Sequence, residues 1–300
     1  MKQRQLLGSL LLLLVAVIWG TAFAFQRMGT GVIGPMTFVA SRMTLSAVAV
    51  GIVSLFIKDP KVNSEKSVSN KSRHDTLIGG ICCGAFLVSA SLFQQVGIAY
   101  TTAGKAGFIT ALYILLVPII STVFLRKKST WIVWFAVFLG IIGMYLLCMT
   151  ESLRLARGDA LICVCAMLFT GHILCCDHFA GRGNPVRISA IQFVTSSVVS
   201  WILAFIFESP SISAIRSALI PILYCGLASG GIGYTLQIVA QRFTKPTVAS
   251  LLMSFESVFA VLGGVVLLNE RMTVRELIGC IVMFIAIIVV QIPVPGRSED

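Results

Sequence analysis

Residues 6–26 read LLGSLLLLLVAVIWGTAFAFQ, an uncharged stretch whose polar side chains are Ser9, Thr21 and Gln26. At 1.5 Å per residue a helix of this length spans roughly 30 Å, the thickness of the hydrocarbon core of a bilayer. Runs of the same kind recur along the 300 residues, and the composition follows from them. The chain is 57% hydrophobic and only 12% charged, with a mean hydropathy of +0.95. A soluble domain carries about 25% charged residues, because its surface must face water. The chain therefore reads as a polytopic membrane protein.

Ten spans are predicted, at 6–26, 36–57, 76–99, 104–125, 130–149, 158–179, 186–207, 217–241, 247–268 and 273–292. None of the runs alternates with period two, which disfavours a β-barrel. In lipid the backbone must satisfy its own hydrogen bonds, so helices are the remaining choice. The expected fold is an all-α integral membrane protein of ten transmembrane helices. The opening has features of a secretory signal, with Lys2 and Arg4 before the apolar run and Ala22-Phe23-Ala24 after it. Its run exceeds the usual length of about 7–15 residues, so it is read as a retained span. The longest linker, 58–75, is rich in Lys, Ser and Asn and is expected to be a mobile cytoplasmic loop; 293–300 is read as a cytoplasmic tail.

The net charge of +11 does not point to nucleic acid, since the basic residues lie mostly in short gaps between apolar runs and no binding motif accompanies them. Fifteen of the 23 basic residues fall on the side of the N terminus and six on the other, with Arg42 and Lys105 inside spans. Basic loops stay in the cytoplasm, so both termini are expected there, in a cell membrane. The nine cysteines are odd in number and lie in or beside apolar runs, unlike a disulfide framework. His172, Cys175, Cys176, Asp177 and His178 carry metal-capable groups within seven positions, but adjacent residues point to different helix faces. No second cluster completes a tetrahedral site, so no metal is implied. No cofactor is implied either, and no nucleotide-binding Gly-x4-Gly-Lys-Ser/Thr loop is present.

The two halves match in order. Gly34-Pro35 with Arg42 seven residues on is answered by Asn184-Pro185 with Gln192 at the same distance, an offset of 150 that Gly8 and Gly158 share. Gln95 and Gln237 stand 142 apart, and Gly140 and Gly279 stand 139 apart, a decline that the long linker at 58–75 explains. Each copy holds five spans, an odd number, so the second copy must enter the membrane inverted. The expected units are 1–149 and 158–292. Inverted repeats recur in secondary transporters, with substrate near the midplane between the halves.

Several motifs carry a resemblance to a known family. They are Trp19-Gly20-Thr21, Pro35-x6-Arg42, the stretch from Thr101 to Tyr113 with Val117-Pro118 beyond it, Phe255-Glu256-Ser257 and Leu268-Asn269-Glu270-Arg271. On these the chain resembles a ten-helix member of the drug/metabolite transporter superfamily built from two EamA-type repeats. Ser257 departs from the pattern, standing where many relatives have proline. The resemblance implies transport of amino acids, metabolites or toxic compounds, mostly export, without choosing the substrate.

Ionisable groups at membrane depth cost at least about 2.5–3.5 kcal/mol each on insertion scales, so each needs a reason. Glu256 lies about ten residues from the cytoplasmic end of its span, near the midplane, where it must be protonated, paired or lining a wet cavity. It is the candidate for proton coupling. Arg42 lies about seven residues from the outer face and cannot deprotonate; it either binds a substrate carboxylate or pairs with Glu256. Lys105 either reaches the cavity or snorkels outward. Gln94, Gln95, Gln192 and Gln237 offer uncharged donors and acceptors, to a cavity or to neighbouring helices. Trp19 and Tyr113 can stack on a substrate, and His172 can handle protons or form a buried hydrogen bond. Gly80-x3-Gly84 and Gly226-x3-Gly230 sit on equivalent spans, where they allow backbones to approach, either for sliding or for static packing.

The leading expectation is a secondary transporter, exporting small amphipathic metabolites by alternating access. An intramembrane enzyme is the alternative class, though neither His-Glu-x-x-His nor Gly-x-Ser-x-Gly occurs. A channel or a non-transporting membrane protein is a third. Lipid and a small molecule are the expected partners, with protons as a possible coupling ion and the oligomeric state left open.

Overall fold

The computed structural model describes residues 2–56, 66–125, 131–148, 156–244, 249 and 252–289. Within them the chain is helical, with six helices long and apolar enough to cross a membrane. The first three elements are α1 (Lys2–Gly29), α2 (Pro35–Phe56) and α3 (Lys66–Ile98). Proline at the first position of α2 suits a helix start, where its missing N–H would have no partner. Helix α3 begins ten residues before its predicted edge, so the second part of the expected loop 58–75 is helical. Hydropathy marks where a helix enters lipid, whereas a polar turn such as Lys66–Asp75 can lie outside it. The first part of that loop and the tail 293–300 lie outside the described residues.

The span expected at 104–125 is divided into α4 (Ala103–Thr110) and α5 (Tyr113–Leu125). Leu112, Ile114 and Leu115 each donate to the carbonyl three residues back, which tightens the chain at the join. Helices α6 (Trp131–Cys148), α7 (Arg157–Ala180) and α8 (Pro185–Phe207) follow. Asn184 caps α8, its side chain accepting from the Val186 and Arg187 backbones. The span expected at 217–241 is the least regular. It comprises α9 (Ile212–Ser217), α10 (Leu219–Leu223), a π-helical segment Tyr224–Tyr234, and α11 (Thr235–Gln241). Pro221 cannot donate to the Ser217 carbonyl, which accounts for the break at Ala218. The segment's four glycines, Gly226, Gly230, Gly231 and Gly233, weaken the α-helical preference. Last come α12 (Glu256–Leu268), preceded by a turn at Phe255, and α13 (Val274–Val289). Asn269 ends α12 in the left-handed conformation (φ 54°) and turns the chain so that Glu270 meets the start of α4.

The helices pack in a definite pattern. Helix α3 runs along α7 and α8, α2 along α8, and α6 along α13; α1 lies along α12 and along the π-helical segment, and α4 meets α12 and α7. Large apolar side chains face outward around the bundle, with Leu55 and Phe56 at 82% and 81% exposure. The interior holds Arg42, Glu256, His172 and several glutamines, all buried. Apolar outside and polar inside is the distribution that lipid favours and water would reject.

Two contacts between helices repeat the same chemistry. The Ser46 hydroxyl of α2 donates to the Gly226 carbonyl at 2.6 Å, and the Ser196 hydroxyl of α8 donates to the Gly84 carbonyl at 3.1 Å. Both glycines exist for close approach. A Cβ on Gly226 would fall 3.0 Å from the Arg42 carbonyl and 2.8 Å from Leu45, and one on Gly84 would fall 2.9 Å from the Gln192 carbonyl. A backbone carbonyl cannot yield as a side chain can. Gly226→Val is therefore expected to cost about 1–3 kcal/mol of stability, the usual penalty for overpacking. Thermal unfolding in detergent checks this, with Gly51→Ala as a control that meets nothing within 4 Å and should leave the transition unchanged or slightly higher.

Candidate functional site

Helices α1, α2, α3, α4, α5, α7, α11 and α12, together with the π-helical segment, line one cavity. Regular periodicity delivers most of its wall. Trp19, Phe23 and Gln26 recur on one face of α1, and Phe169, His172 and Ile173 on one face of α7. Thr110 and Tyr113 flank the join between α4 and α5, and Glu256 opens α12 directly after the Phe255 turn. The wider turn of the π-helical segment puts Ser229 and Tyr234, five residues apart, on the same side, with Gln237 a turn further on. The irregular points of three spans thus all meet the cavity.

A guanidinium and a carboxyl group share this space. Arg42 is 2% exposed and Glu256 3%. Among the described residues, the Nε and Nη2 atoms of Arg42 and Oε1 of Glu256 are buried without hydrogen-bond partners. No ion pair joins Arg42 to Glu256, in contrast to Lys105 and Glu276. The Phe38 ring lies 6.0 Å from the guanidinium carbon, and the Tyr113 hydroxyl lies beside the Glu256 carboxyl. An aromatic group centred on Tyr234 lines the same cavity. Its ring lies 4.6 Å from Trp19, 5.7 Å from His172 and 6.5 Å from Phe169. Trp19 is fixed by its Nε1, which donates to the Ser229 carbonyl at 3.1 Å. The wall thus presents a guanidinium and a carboxyl group beside an aromatic surface.

Seven of the ten residues singled out from the sequence line this cavity: Trp19, Arg42, Gln94, Tyr113, His172, Gln237 and Glu256. Three do not. Lys105 is paired with Glu276 at 2.6 Å, toward the end of the bundle where α4 begins. Gln95 faces α1 and donates to the Gln26 carbonyl at 3.1 Å. Gln192 stands behind the wall, its Oε1 3.0 Å from His172 Nε2, and so orients the ring that faces the cavity. Sequence reasoning passed over Phe23, Gln26, Thr110, Phe169, Ser229 and Tyr234. Gln26 and Phe23 follow Trp19 at helical spacing and were legible in principle; the pairing of Ser229 with Tyr234 depends on the π-helical phase and was not.

The end of the bundle holding the starts of α2 and α4 is fastened by carboxylates. Glu208 accepts from the Met36 and Thr37 backbones at 2.8 Å each and from the Thr37 hydroxyl at 2.6 Å. Glu270 accepts from the Ala103 backbone, and Asp159 accepts from the Thr101 hydroxyl at 2.6 Å. Negative charge at a helix N terminus is favoured by the helix dipole. Toward the other end, Cys83 Sγ lies 3.5 Å from Cys175 Sγ and 3.7 Å from Cys176 Sγ, linking α3 to α7; these thiols are free.

A bundle of apolar-faced helices, interrupted where they meet a polar internal cavity, defines a multi-pass membrane transporter. Two stretches, residues 6–149 and 156–292, match the model of the EamA-like transporter family, and the chain belongs to that family, of the drug/metabolite transporter type. It is similar to an uncharacterized transporter of Archaeoglobus fulgidus, 27% identical over 97% of this chain and 88% of that one. It is also similar to the uncharacterized transporter YoaV of Bacillus subtilis, 22% identical over 90% of this chain and 91% of the relative. The fold is also similar to a protein crystal structure, with a TM-score of 0.69 over 95% of this chain and 96% of that one; at 16% identity this is a likeness of fold alone.

Proposed function

We propose that this transporter is an exporter of small zwitterionic amphipaths, such as amino acids with apolar or aromatic side chains, acting by alternating access. The observation that carries the reading is a buried guanidinium and a buried carboxyl group that line one cavity without pairing. Arg42 would receive the carboxylate, Glu256 the ammonium group or a proton, and the aromatic group around Tyr234 the body. Gln94, Gln237 and His172 would set the polar rim. Gln95 and Gln192 would act by holding Gln26 and His172, and Lys105 would close the outer end through Glu276.

The same reading assigns ten spans in two inverted repeats, 1–149 and 158–292, with both termini in the cytoplasm of a cell membrane. Three observations support it. The family model matches twice. The packing pattern is nearly unchanged when the halves are exchanged: α3 with α7 becomes the π-helical segment with α1, and α3 with α8 becomes that segment with α2. Ser46–Gly226 and Ser196–Gly84 are one contact made twice, at the offsets of 150 and 142 that the sequence carries.

Counterflow in proteoliposomes tests the function. Unlabelled apolar L-amino acids inside should accelerate saturable entry of the labelled ones. Competition should need both charged groups, so amidated or N-acetylated analogues compete weakly. A linear, unsaturable flux would instead indicate a pore, and the absence of flux would sink the proposal.

A further inference from the structure

Helix α11 continues the cavity wall away from Gln237 toward the end of the bundle where α1 begins. Gln237 and Gln241 lie one turn apart on the same face, and Thr244 follows in the turn after the helix. The three are buried, at 0%, 5% and 4% exposure. Among the described residues, both amide atoms of Gln237, both of Gln241 and the Thr244 hydroxyl have no hydrogen-bond partner. Helix α1 is pressed onto this row: a Cβ on Gly8 would fall 2.5 Å from the Thr244 hydroxyl and 3.4 Å from the Ala240 carbonyl.

The corresponding positions of the first half, 142 residues earlier, are partly satisfied, with Gln95 Oε1 the one side-chain atom left without a partner there. Gln95 donates to the Gln26 carbonyl at 3.1 Å, and Thr102 accepts from the Lys105 backbone at 3.2 Å. Ala99, in place of Gln241, has no polar side chain, and its carbonyl accepts from Arg27 at 2.9 Å. Polar groups in native proteins find partners when they are buried. Other unpartnered atoms are scattered through the interior, such as the Ser91, Ser189 and Ser200 hydroxyls, whereas these five stand in one row that continues from the cavity wall under α1. Separation of α1 from α11 would give all five a partner at once.

We propose that Gln241 and Thr244 form a second polar station on the substrate path, between the Arg42–Glu256 cavity and the membrane face where α1 begins, exposed when α1 moves away from α11. This rests on the alternating-access reading above. The station takes the charged headgroup of a small zwitterion together with its water. An amide and a hydroxyl serve carboxylate and ammonium alike, and being uncharged they release either one, as a transit point must.

Residue-resolved labelling with a membrane-impermeant maleimide tests the station in the full-length protein. Gln241→Cys and Thr244→Cys should react at least tenfold faster than Ile238→Cys, an equally buried position facing Cys83 and Ile188, and only from the face where α1 begins. Saturating apolar L-amino acid should slow that reaction. Gln241→Leu, which removes two unpartnered polar atoms, should raise the unfolding temperature yet lower counterflow about tenfold. Labelling at the Ile238→Cys rate, or wild-type flux in Gln241→Leu, overturns the proposal. Absence of counterflow from the unmodified protein would instead sink the underlying transport reading, which the labelling experiment reads separately.

Discussion

Glu256→Gln is expected to abolish accumulation driven by a pH gradient while leaving counterflow measurable. Glutamine keeps the shape of the side chain and its hydrogen-bonding capacity but can neither carry a charge nor exchange a proton. Loss of the charge should also weaken the grip on a substrate ammonium group. A hydrogen bond to a charged partner is worth about 1.5–3 kcal/mol, so the half-saturating concentration in counterflow should rise about ten- to a hundredfold. The unfolding temperature should hold or rise, because a buried carboxyl with one unpartnered oxygen leaves the interior. Proteoliposome flux with and without an imposed gradient reads all three effects. Gradient-driven flux that survives the substitution would remove Glu256 from the coupling step, and a fall in thermal stability would indicate a structural role.

The second large effect is expected at Arg42. Arg42→Ala should weaken carboxylate-bearing substrates about ten- to a hundredfold, by the same arithmetic, and affect amines without a carboxylate much less. Arg42→Lys should restore little, since an ammonium group cannot reproduce the two-pronged donation of a guanidinium. Dependence on the substrate is the decisive readout. If Arg42 merely maintained the fold, every substrate would suffer equally and the protein would melt earlier. Arg42 also bears directly on the packing, since its carbonyl accepts from the Ser46 hydroxyl that binds Gly226. That bond belongs to the backbone and survives both substitutions, so side-chain and scaffold effects can be separated.

Much of the site was visible before any coordinates. Arg42, His172, Gln94, Gln237 and Glu256 stand out because polar groups at membrane depth are costly and few, and all five line the cavity. Lys105 met the same criterion and lies elsewhere, because its partner Glu276 is 171 positions away and no local pattern announces the pair. Helix edges followed hydropathy where helices are regular. The prediction missed the joins at 111–112, 218 and 255, where hydropathy is unchanged and only hydrogen bonding differs.

From the order of residues alone came the solvent, the kind of secondary structure and the short set of side chains that needed a reason to be in lipid. These follow from length, polarity and backbone hydrogen bonding, which are local quantities. Tertiary structure decided which of those side chains meet. It put Trp19 against Ser229 and Tyr234, brought Arg42 and Glu256 to one cavity without pairing them, and turned Gln95 and Gln192 toward their own neighbours. The physical reason is that a partner is chosen by the rotation of each helix about its axis. That rotation is set by contacts between distant glycines and by the extra width of one π-helical turn, and hydropathy is blind to both.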